Sequence, residues 1–120
     1  MDRATRYNWV FALKTLSATD ICDAFNLFCA QADQFSKCFC ADCDDKLLGL
    51  TIKSYLTGNN SDIVGATAGR QSSNGLVGSH WKTMVHISQA YLTEKQMPQK
   101  FWFQSTVYTV QMMNMVPGKN

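Results

Sequence analysis

No apolar run in this chain approaches the ~20 residues that a membrane-spanning helix needs, so a helical membrane anchor within it is excluded. A signal peptide is also missing from the N-terminus, because the stretch WVFAL is short and Lys14 follows it at once. Low-complexity tracts and internal repeats are absent. Charge of one sign is not in excess: the net charge of +2 is too small to argue for nucleic-acid binding by itself. A second C-x-x-C and a paired-histidine spacing are both lacking, which leaves the pattern of a zinc site incomplete. These absences point to a soluble intracellular chain, nuclear or cytoplasmic, with no membrane partner and no small-molecule cofactor.

What remains is a globular composition, 46% hydrophobic and 17% charged over 120 residues, room for one domain. Residues 1–60 hold six Lys/Arg against seven Asp/Glu, while residues 61–120 hold five against two. The mildly basic second half permits contact with a phosphate backbone. Five cysteines without a secretory signal read as reduced thiols. Cys38, Cys40 and Cys43 form a C-x-C-x-x-C cluster that could take a metal, with His80 or His86 as a fourth ligand. The alternation of Cys38 and Cys40 with Phe39 and Ala41 equally fits a strand whose cysteines are small core residues, and this second reading is the stronger.

Periodicity predicts the elements. Residues 6–14, RYNWVFALK, are rich in aromatic and β-branched side chains and read as a strand. A Ser or Thr of SATD caps a helix whose apolar face is Ile21, Ala24, Phe25, Phe28, Ala32 and Phe35. KCFCAD is a second strand ending at Asp42. Asp44 and Asp45 suit the start of a helix bearing Leu48, Ile52, Tyr55 and Leu56, which TGNN terminates. DIVGA is a third strand and TAGRQSSNG a loop. A long helix follows with Val77, Trp81, Met84, Val85 and Leu92 along one side. Pro98 opens a last helix that Pro117 and Gly118 stop. Strands alternating with helices argue for an α/β sheet with parallel members.

In such sheets ligands gather outside the carboxyl ends of the strands. Asp42 stands at such an end, where a carboxylate can bind a hard divalent cation. At this point the chain resembles a family. DRATRYNWVFALK resembles the VDDYSRYTWVYLLK type of stretch in copia-type retrotransposon integrases, and ADCDDKLLG resembles their TDNG element. GRQSSNGLVGSHWKTMVHISQAYLTEKQMPQKFWFQSTVYTVQMMN resembles their QNGVAERKNRTLLEMARSML…LPKSFWAEAV…AAYIMN segment. The resemblance runs almost end to end, and its third block is the most specific.

The resemblance implies a ribonuclease-H-like fold and a triad of two aspartates and a glutamate holding magnesium or manganese. That triad joins element DNA to target DNA. Asp42 matches the second aspartate. The glutamate falls 35 intervening residues further on, at Gly78, which has no carboxylate. Asp62 and Glu94 stand too far off to replace it. The first aspartate belongs to a strand upstream of the part matched here, so Asp2 is not its counterpart. Residues 1–120 are thus expected to be a partial integrase catalytic core: an incomplete ribonuclease-H-like α/β fold, a mixed sheet with flanking helices and its first strand missing. Its ions would not be bound productively, and its fold would be marginal.

Arg70, Gln71, Asn74, His80 and Lys82 flank the loop and helix where the resemblance implies contact with DNA, and a solvated helix face explains them about as well. His86 reads as a packed or surface histidine. Phe101, Trp81, Trp102 and Tyr108 could stack on bases, although aromatics at helical spacing more often belong to a core. Met112, Met113 and Met115 read as gap fillers. The expected role is a remnant of DNA integration without strand-transfer activity. The alternative is a non-enzymatic chain that binds nucleic acid, integrase subunits or a second copy of itself.

Overall fold

A computed structural model describes residues 1–34, 36–42, 47, 49–65 and 72–116, excepting the side chains of residues 72–74. Among the described residues it is a mixed helix-and-strand structure with four α-helices and a two-stranded parallel sheet. The chain divides into two compact units, Leu13–Gly75 and Met1–Ala12 with Leu76–Asn120. No helix among the described residues is long and apolar enough to cross a membrane.

The first of these units is built around a strand–helix–strand motif. Helix α1 (Ala18–Ala32) starts where the sequence places a cap: Ser17 is extended, and its hydroxyl accepts from the Asp20 N–H at 3.2 Å. The Asp20 carboxylate in turn accepts from the backbone N–H and hydroxyl of Thr15, at 2.9 and 2.6 Å. These bonds hold its carboxyl below the usual range, the hydroxyl contributing most. Asp33 ends the helix in the left-handed region at φ 56°, a conformation that aspartate tolerates better than most residues.

Strand β1 (Cys38–Ala41), helix α2 (Leu50–Gly58) and strand β2 (Asp62–Gly65) follow, and the two strands pair in parallel with Cys38 beside Asp62 and Phe39 beside Ile63. Ile21, Ile52, Leu56 and Ile63 form the buried core, with Phe25, Phe39 and Tyr55 packed against it. Phe39 takes edge-on contacts from Phe25 and Phe28, with ring centroids 4.8 and 5.6 Å away. α1 and α2 therefore share one face of the sheet.

The cysteine expectation needs correction here. Cys38 and Cys40 alternate at strand period, yet they occupy the exposed face while Phe39 and Ala41 turn inward. A four-residue strand has two faces, and the bulkier ring claims the one beneath the helices. Asp44, Asp45, Leu48 and Phe35 lie outside the described residues, but α2 begins at Leu50 with Gly49 as its N-cap, later than the start that Asp44 and Asp45 suggest.

In the other unit, most of α3 (Ser72–Glu94) packs on α4 (Trp102–Met115), which a short 3-10 turn (Gln99–Phe101) precedes. Three expectations fail. First, α3 takes in Ser72 to Gly75, part of the segment whose composition suggests a loop. Second, Pro98 precedes the 3-10 turn with extended backbone instead of sitting inside α4. Third, residues 6–14 pair with no strand among the described residues. An extended segment becomes a strand only when a neighbour accepts its ladder, and here the Asn114 side chain meets one residue of it. Its amide oxygen accepts from the Asn8 N–H at 2.8 Å, and its Nδ2 donates to the Asn8 carbonyl at 2.8 Å.

The helix–helix core also departs from the apolar pattern. Met84, Leu92 and Val110 are buried, but so are Ser88, Thr106 and Thr109. Trp81, Trp102 and Tyr108 are more than half exposed, as are Met115 and Val116. Small hydroxyls serve the interface because each satisfies itself locally: Ser88 donates to the Met84 carbonyl at 2.7 Å, Thr106 to Trp102 at 2.8 Å and Thr109 to Ser105 at 2.9 Å. Ser105 Oγ then crosses between the helices to the Ser88 carbonyl at 2.8 Å. The core expectation for Trp81, Trp102 and Tyr108 is therefore replaced by a polar seam.

Candidate functional site

Asp42 directly follows the last residue of β1, at the carboxyl end of a parallel strand, and it is exposed. The motif puts it there because β1 ends as its pairing with β2 runs out at Ala41 and Gly65. A carboxylate in this place can accept from water or ligate a cation. Two-metal phosphoryl transfer asks for several convergent carboxylates holding ions ~3.5–4 Å apart. Among the described residues, no three His, Cys, Asp or Glu side chains come together to hold a metal. Asp44 and Asp45, close to Asp42 in sequence, lie outside the described residues.

Gly78 lies inside α3 and is exposed, and a Cβ built on it would meet nothing within 4 Å. No close approach of neighbouring atoms demands glycine there. Arg70 and Gln71 lie outside the described residues, and Asn74 is in α3 with its side chain undescribed. His80 is half-buried; its Nδ1 is shielded and meets no hydrogen-bond partner among the described residues. Lys82 is exposed.

Lys82 does share a surface with other polar and aromatic groups. Trp81, Lys82, Val85, His86 and Gln89 line a shallow, open depression of about 240 Å³ on α3. The helical repeat produces this set, since residues four apart stack along one face. Trp81 is 55% exposed, enough to offer part of its indole to a ligand beside the Lys82 ammonium. Sequence reasoning passed over Gln89 and treated His86 as incidental. The i, i+4, i+8 spacing of Trp81, Val85 and Gln89 and the i, i+4 spacing of Lys82 and His86 were the available signal.

Set against protein-family models, curated proteins and solved structures, the chain matches none. The class that the fold itself defines is mixed α/β, with a parallel β–α–β motif.

Proposed function

We propose that this chain is a remnant of a copia-type integrase core with a ribonuclease-H-like ancestry, whose inherited chemistry was metal-dependent DNA strand transfer and which no longer performs it. The observation that carries the reading is Gly78: it stands at the spacing the resemblance reserves for a glutamate, in a helix with open space for a side chain. Asp42, at the end of a parallel strand, is the one matched ligand in this stretch of chain. Without the glutamate carboxylate, the ions that stabilise the attacking and leaving oxygens lose a ligand. A strand-transfer assay with magnesium and with manganese tests this. No joined DNA product is expected from the purified chain, and clear joining activity overturns the reading.

A second reading, non-enzymatic nucleic-acid binding, is favoured by the depression on α3. An exposed indole beside a lysine suits stacking on a base next to a phosphate, and the basic second half of the chain supplies attraction at longer range. DNA affinity should fall with salt and weaken in Lys82→Ala and Trp81→Ala. Absence of binding at low salt would remove this reading. On either reading the partners are DNA, integrase subunits or a second copy, in the nucleus or cytoplasm.

A further inference from the structure

The face of the β1–β2 pair turned away from the α1–α2 core carries Cys38 and Cys40, with Asp62 and Val64 beside them in register. All four side chains are exposed, and none belongs to the buried core. Two residues apart on one strand, at a rise of ~3.3 Å each, places the two Cα atoms ~6.6 Å apart with both side chains on the same side. That separation is near the upper end of the ~4.4–6.8 Å that a disulfide spans. Two metal–sulfur bonds of ~2.3 Å laid end to end bridge a wider gap of ~4.6 Å between sulfurs, which the strand spacing accommodates without moving the backbone.

We propose that Cys38 and Cys40 form a two-thiolate site for a soft, thiophilic ion of the cuprous class. Zinc asks for four ligands in a tetrahedron, whereas this face offers, among the described residues, two thiols with the Asp62 carboxylate beside Cys38. A soft monovalent ion is content with two thiolates. Binding forms two copper–sulfur bonds and releases two thiol protons to solvent, with no electron transferred, so affinity rises with pH. It also ends the weak contact of the Cys38 Sγ with the Phe39 carbonyl at 3.7 Å. The β1–β2 register holds both thiols in place beforehand, which lowers the ordering cost of capture.

The test is anaerobic titration of the full chain against cuprous ion held by a coloured chelator. Wild type should withdraw one equivalent, and Cys22→Ser, Cys29→Ser and Cys43→Ser should do the same. Cys38→Ser and Cys40→Ser should each bind at least ten-fold more weakly while keeping the wild-type far-UV circular dichroism, since both positions are exposed. Three results overturn the proposal: no withdrawal by wild type, undiminished binding in the Cys38 and Cys40 variants, or a loss in Cys43→Ser as large as in Cys38→Ser.

Discussion

Gly78 and Thr109 mark opposite ends of what a single side chain does in the α3–α4 unit. Gly78 holds an exposed helical position with nothing near its missing Cβ, so glycine there costs conformational entropy and gains no packing. Gly78→Ala should raise stability by about 0.5–1 kcal/mol, seen as a higher urea midpoint at unchanged slope. A fall in the midpoint would mean that the position is constrained by something other than helix propensity. Thr109 is fully buried. Its hydroxyl donates to Ser105 and lies 3.2 Å from Ser88 Oγ. Thr109→Val keeps the shape and removes the bonds, and should cost about 1–2 kcal/mol. An unchanged midpoint would show that the hydroxyl seam is dispensable. Asp20 gives the pH-dependent case. Its folded pKa is depressed, first by the Thr15 hydroxyl, so its stabilisation is complete above the ordinary carboxylate value of about 3.9 and is lost as pH falls through the lower folded value. Thr15→Ala should move the Asp20 titration upward in an NMR series, and no movement would assign the depression elsewhere.

At the scale of the element, the N-terminal segment and the short sheet both depend on non-local partners. Residues 6–14 have strand composition, but the Asn114 amide supplies the two 2.8 Å bonds that a neighbouring strand would otherwise provide to Asn8. Asn114→Ala should release this segment, with faster amide exchange at Asn8 and a loss of about 1–2 kcal/mol for two partly buried bonds. Exchange as slow as in wild type would show that other contacts hold it. The sheet makes a similar point through its cysteines. Burial pushes the Cys22 thiol up, which lowers its thiolate fraction, while Cys38 stands on the open face of β1. Alkylation followed by mass spectrometry should mark Cys38 before Cys22, and the reverse order would contradict the face assigned to β1.

For the whole molecule, two units of about 60 residues each have cores of a size that rarely supplies more than about 3–5 kcal/mol. Trp9, Trp81 and Trp102 all fall within Met1–Ala12 and Leu76–Asn120, leaving the unit with the sheet without a tryptophan. Urea unfolding followed by tryptophan fluorescence therefore reports on one unit, whereas far-UV circular dichroism sees both. Different midpoints from the two probes are expected, and coincident ones would mean that the units unfold as a single cooperative body.

The sequence by itself determined the features whose causes are local. Ser17 capping α1, the two-residue alternation in β1, the TGNN stop of α2 and the parallel strand–helix–strand order were all legible, because caps, turns and periodicity act within a few residues. Of the candidate site, the place of Asp42 at a strand end was legible for the same reason, and so was the absence of a carboxylate at Gly78. Only the tertiary structure decided which side of each pattern is buried. Cys38 and Cys40 face outward because Phe39 fills the side beneath the helices, and α3 and α4 meet through Ser88, Ser105 and Thr109 while Trp81 stays exposed. Residues 6–14 stay out of a sheet for the same physical reason: burial and strand pairing depend on partners distant in the chain, which no local window contains.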